Sequence, residues 1–106
     1  MSIVKNILIE ELERQQQIEV DYIKKLENLP KGSVQIRVRG GQTYYYLHFR
    51  DGKKVVSRYI KMEDLPELRH QISKRREIEK MIRQVRANMH ELRSKVKPSP
   101  DSGFDE

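Results

Sequence analysis

The stretch Ser33–Lys61, SVQIRVRGGQTYYYLHFRDGKKVVSRYIK, decides the fold. Its apolar residues recur with a period of two, as in strands that bury one face. Gly40-Gly41 and Asp51-Gly52 are two-residue loops able to accept the positive φ angles of tight hairpin turns. They predict strands over 33–39, 42–50 and 53–61, with residue 39 opposite 42 and 50 opposite 53. One face then collects Val34, Ile36, Val38, Tyr45, Leu47, Phe49, Val56 and Ile60. The other collects Gln35, Arg37, Arg39, Tyr44, Tyr46, His48, Arg50, Lys53, Val55, Ser57, Tyr59 and Lys61. A slip of one residue would exchange the faces, and two independent turns agree on a single apolar one.

On either side the period becomes helical. Ser2 is placed to cap a helix running to about Asn28, before the Leu29-Pro30 stop. Val4, Leu8, Ile18, Tyr22 and Leu29 form its stripe, with Ile7, Leu12 and Leu26 beside them and Glu11 and Gln15 interrupting it. Such a seam suits a short, imperfect coiled coil. A second helix is expected over 62–96, with Asp64 as its cap and Pro66 in its first turn. Leu65, Leu68 and Ile72 make a short apolar stripe on it. Ile78, Ile82, Val85, Met89, Leu92 and Val96 then alternate by four and three, the spacing of a coiled-coil seam.

The expected class is therefore α+β: an N-terminal helix, a three-stranded antiparallel meander and a long C-terminal helix. The first turns of helix two would cover Val34, Ile36, Leu47 and Phe49. Its remainder would pair with helix one as an antiparallel coiled-coil hairpin, or with another chain as a homodimer. Residues 1–97 read as a single domain. Lys97-Pro98-Ser99-Pro100 ends the helix, and the acidic stretch 98–106 reads as a disordered tail.

Composition narrows the function. The chain has 106 residues, no cysteine and a net charge of +6. It can bury only a thin core, unaided by disulfides. A cysteine-free chain suits a reducing cytoplasm, and Ile7-Leu8-Ile9 is too short an apolar run for a signal or membrane segment. His48, His70 and His90 lack metal-ligand spacing, and the glycines belong to hairpins, not phosphate loops. The helix acids are interspersed with lysines and arginines, as on solvated faces. The expectation is a cytoplasmic protein that is not an enzyme and uses no cofactor.

Charge is unevenly spread. Residues 30–61 carry eight Lys or Arg against Asp51 alone. That is the footprint expected for a polyanion. The face bearing Arg37, Arg39, Tyr44, Tyr46, His48, Arg50, Lys53, Tyr59 and Lys61 could stack bases on its tyrosines and hold phosphates with its cations. The plainer reading is cross-strand tyrosine pairs packed under arginine stems. Lys74, Arg75, Arg76, Lys80 and Arg83 of helix two would extend the phosphate contacts, or form an ordinary solvated face.

The residues Gly32-Ser33, Arg37, Gly40-Gly41, Tyr44-Tyr45-Tyr46, Arg50-Asp51-Gly52-Lys53 and Ser57-Arg58-Tyr59 resemble the arm-type DNA-binding sheet of tyrosine recombinases. That resemblance implies a sheet laid in the major groove, with Arg37, Arg39, Tyr44, Tyr46 and Arg50 as contacts. The chain carries no recombinase core, and its flanking helices are longer than in those domains. The helix, Leu-Pro-Lys-Gly-Ser, meander and charged-helix order also resembles small proteins of bacterial and phage mobile elements. The expected function is non-enzymatic nucleic-acid binding, duplex DNA before RNA. The alternative is a phage-borne inhibitor of the anti-CRISPR kind, docking on a host nuclease complex or its guide RNA.

Overall fold

A computed structural model describes residues 3–96. The Ser2 cap and the 98–106 tail lie outside the described residues. The elements follow in the order α1 (Ile3–Glu27), β1 (Ser33–Arg39), β2 (Gln42–Asp51), β3 (Lys54–Ile60), a 3₁₀ turn (Met62–Asp64) and α2 (Leu65–Val96). The class is α+β. Its residues group into two compact units, one of residues up to Lys25 and from Glu79, the other of Leu26–Ile78.

In the first unit α1 and α2 pair antiparallel. Ile82, Val85 and Met89 of α2 are buried, and Leu8, Leu12, Ile18 and Tyr22 of α1 are half-buried. The heptad seam is thus filled by a helix of the same chain. Arg86 Nε lies 2.6 Å from Glu19 Oε2, an ion pair between the helices. The two polar residues interrupting the α1 stripe engage one another: Gln15 Nε2 donates to Glu11 Oε2 at 2.9 Å, and Arg14 pairs with the other oxygen. Val4 and Ile7, expected in the seam, are instead 65% and 57% exposed. Register explains this. Counting outward from Glu19 and Arg86, the last described residue of α2, Val96, comes level with Ile9, so earlier residues of α1 lie past the described part of α2.

The second unit is built on the sheet, ordered β1-β2-β3. Arg39 pairs with Gln42 across the first turn, as the sequence implies. The second hairpin differs. Asp51 pairs with Lys54, so the loop is Gly52-Lys53 and each β3 partner moves by two residues. Only Gly52 has positive φ there, at 65°, and no described non-glycine residue does. That is the φ pattern of a II′ turn, whereas an Asp51-Gly52 loop of type I′ would force the aspartate into the left-handed region. Asp51 instead extends the strand, opposite a residue of opposite charge. A shift of two preserves side-chain parity, so the face assignments stand.

The covered face centres on Leu47, Ile60, Leu65 and Ile72, with Val34, Tyr45, Phe49 and Leu68 packed against them. Ile36, expected under the helix, is 58% exposed, and Val38 is 68% exposed. The path of α2 is the cause. Leu68 shares a cavity wall with Leu47 and Ile60, and Ile72 shares another with Val34. The helix therefore crosses diagonally from β3 to the start of β1 and leaves the Gly40 corner uncovered. Arg58, on the same face, lies over the Phe49 ring at 5.6 Å.

Arg75 serves the fold. Its Nη1 donates to the carbonyl oxygens of Leu26 at 2.7 Å and Leu29 at 2.8 Å. The last carbonyls of a helix lack intrahelical donors, and this guanidinium supplies one at the end of α1. Arg75→Met should lower stability in a denaturant melt by about 1–3 kcal/mol, the cost of half-buried carbonyls losing a charged donor. A melt superimposable on wild type would mean that water replaces the arginine without loss.

Candidate nucleic-acid interface

The sheet face opposite α2 is assembled by cross-strand pairing. Gln35 pairs with Tyr46, which pairs with Tyr59; Arg37 pairs with Tyr44, and Ser33 and Ser57 flank His48. The Tyr46 and Tyr59 rings meet edge to face, with centroids 5.9 Å apart. Arg37, on the diagonal, holds its guanidinium carbon 5.5 Å from the centroid of Tyr46. Tyr44 donates its hydroxyl to Gln42 Oε1 at 2.9 Å, and Gln35 Nε2 donates to Ser33 Oγ at 3.3 Å.

Both readings of the tyrosines thus have a part. Tyr46 is engaged by Tyr59 and Arg37, while Tyr59 keeps 57% of its surface exposed. A guanidinium stacked on a ring is restrained in orientation with its N–H edge still free to donate, which lowers the entropy lost on gripping a phosphate. Arg39 and Arg50 are exposed on the strands, Lys53 in the turn and Lys61 just past β3. No acidic residue projects from this face: Asp51 has the parity of Leu47 and Phe49. Among the described residues none of these five cations forms an ion pair. His48 is half-buried, and its Nε2 is enclosed without a hydrogen-bond partner among the described residues.

The helix residues expected to extend the site divide. Lys74 and Arg76 are exposed in the sheet unit, but Arg76 borders the covered side, beside Ser33 and Val34. Arg75 caps α1. Lys80 and Arg83 are exposed in the helical unit. Sequence reasoning passed over Arg69, whose guanidinium lies 5.9 Å from the Tyr45 ring centroid. Its spacing of seven from Arg76, with Ser73 between, was the available signal.

Among the described residues no cluster of side chains could hold a metal ion, and no helix is long and apolar enough to cross a membrane. These features define a helix–sheet–helix chain with one wholly basic, tyrosine-bearing sheet face. The chain belongs to a family described as a domain of unknown function, DUF6788, which it matches over residues 7–70, from α1 through the meander into α2. No curated protein and no solved structure gives a significant match.

Proposed function

We propose that the chain is a non-enzymatic nucleic-acid-binding protein whose exposed sheet face receives the phosphate backbone, duplex DNA before RNA. One observation carries the reading: every charged residue on that face is basic, and Arg37 is held over an aromatic ring. Arg37, Arg39, Arg50, Lys53 and Lys61 take phosphates, and Tyr59 offers the open ring to a sugar or base. Tyr44 and Tyr46 support the arginines from the same surface, and His48 lies behind them. Such contacts supply affinity and little sequence preference.

The test is a salt series. Fluorescence anisotropy with a generic DNA duplex should give log affinity falling linearly with log salt, at a slope of about −4 to −5 for five phosphate contacts at roughly −0.9 each. Replacing Arg37 and Arg39 together by alanine should make the slope shallower by about two contacts. Replacing Lys24 and Arg93, exposed cations of the helical unit, removes the same charge and should leave the slope nearly unchanged. Equal losses from both pairs would remove the sheet face from the mechanism. Absence of binding to DNA and RNA at low salt would replace this reading with that of an inhibitor docking on a nuclease complex.

A further inference from the structure

Where it crosses the covered face of the sheet, helix α2 carries Arg69, Ser73 and Arg76 on the flank that meets β1. Glu63 and Asp64 of the 3₁₀ turn and Glu67 of α2 line a cavity on the β3 side together with Arg58 and Lys61. On the β1 side a separate cavity of about 350 Å³ is bounded by Ser33, Val34, Arg69, Ile72, Ser73 and Arg76, with no acidic side chain.

Arg69, Ser73 and Arg76 follow one another by four and three residues, so their side chains stand in a row along one side of the helix. The floor beneath them is apolar: Ile72 is 5% exposed, and Val34 is half-buried. Ser33, whose hydroxyl lies on the far face of the sheet with Gln35, borders the opposite wall at the start of β1. Arg69 is steadied over Tyr45. Neither Ser73 nor Arg76 has a hydrogen-bond or ion-pair partner among the described residues. Two guanidinium groups, the Ser73 hydroxyl and an apolar floor make a donor-rich concavity with no acidic side chain among its lining residues.

We propose that this cavity is an oxyanion site that takes a phosphate group, with Arg69 and Arg76 supplying charge-assisted hydrogen bonds and Ser73 donating its hydroxyl. Its walls lie on the side of the sheet opposite Arg37 and Arg39, and it does not rest on the function proposed for that face. The volume exceeds what a phosphate alone fills. The group is either free or carried by a nucleotide, at a strand end or within the backbone.

The full chain, labelled with ¹⁵N, is titrated with inorganic phosphate while chloride holds the ionic strength constant. Saturable shifts should appear at the Ser33 and Ser73 amides and at the Nε–H signals of Arg69 and Arg76. Arg76→Gln, which removes no packing partner, should weaken binding about tenfold. Arg69→Gln with Arg76→Gln should abolish saturation while leaving the amide spectrum folded. Two further arms use a dinucleotide with a 5′-phosphate and one with a 5′-hydroxyl. Tighter binding of the first assigns the site to strand ends, equal binding to internal phosphodiesters, and binding of phosphate alone to the free ion; each supports the site. Shifts spread without saturation over all arginines and lysines, or saturation unchanged in the double variant, would overturn it. Loss of DNA binding through Arg37 and Arg39 would leave these signals untouched, so the two failures are distinguishable.

Discussion

Gly32→Ala should lower the thermal midpoint of the sheet unit by about 12–24 °C, from a loss of about 3 kcal/mol converted at about 4–8 °C per kcal/mol for a small domain. Gly32 has a φ of 120°, which L side chains rarely adopt, and it directly precedes β1. A Cβ there would overlap the backbone carbonyl oxygen of His48 and lie 3.0 Å from the Cβ of Phe49. The obstacle is the neighbouring strand, which cannot move without breaking the β1–β2 ladder. Backbone strain of about 1–3 kcal/mol therefore adds to a steric conflict that cannot relax. Gly41→Ala separates the two terms. Gly41 also has positive φ, at 79°, but an added Cβ meets nothing within 4 Å, so about 1 kcal/mol of strain is the whole effect. Equal losses at both positions would show that β2 does not crowd Gly32.

The contrast between these glycines bears on what a sequence discloses. Gly40-Gly41 announces itself, because two adjacent glycines between alternating strands point to one turn geometry. Asp51-Gly52-Lys53 is less decisive, since Gly52 can hold either the first or the second loop position. The sign of φ at its neighbour chooses, and that is a property of the folded backbone. The face assignment survived because either choice preserves parity. Gly32 gave no signal as a constraint, since its need for a bare Cα arises only once β2 lies against it.

Long-range geometry hid the rest. The apolar face was legible from its period, but the diagonal path of α2 decides that Ile60 is buried and Ile36 is not. Arg75 sits in a basic run that includes Lys74 and Arg76, and nothing local marks it as the donor to Leu26 and Leu29. The opposite face was legible as a set, because period two alone places Arg37, Tyr44, Tyr46 and Tyr59 together. The stacking of Arg37 on Tyr46 was not, since it is a diagonal contact that depends on rotamers. Arg69 escaped because it stands apart from the basic run Lys74-Arg75-Arg76, and the cavity it lines depends on the approach of Ser33 and Val34.

Met89→Ala should cost about 2–5 kcal/mol, and Met81→Ala should stay within about 0.5 kcal/mol of wild type. The two methionines lie on one helix, eight residues apart, and differ chiefly in burial: Met89 is 2% exposed and Met81 49%. Met89 fills the seam between Ile82 and Val85 on one side and the half-buried Leu92 on the other. A surface cleft of about 240 Å³ lies nearby, bounded by Glu11, Gln15, Asn88, Glu91, Leu92 and Lys95. A flexible thioether suits such a place, because it fits an irregular gap that a branched side chain would leave partly empty. Truncation to alanine would open a void and forfeit the contacts that make burial favourable. At position 81 alanine loses little contact and gains helix propensity, so the two effects nearly cancel. Met89→Leu, which conserves volume, should cost less than about 1.5 kcal/mol. Chemical denaturation of the full chain reads all three variants. Equal costs at 81 and 89 would mean that the heptad seam does not lie along Ile82, Val85 and Met89, and that α1 packs on another side of α2.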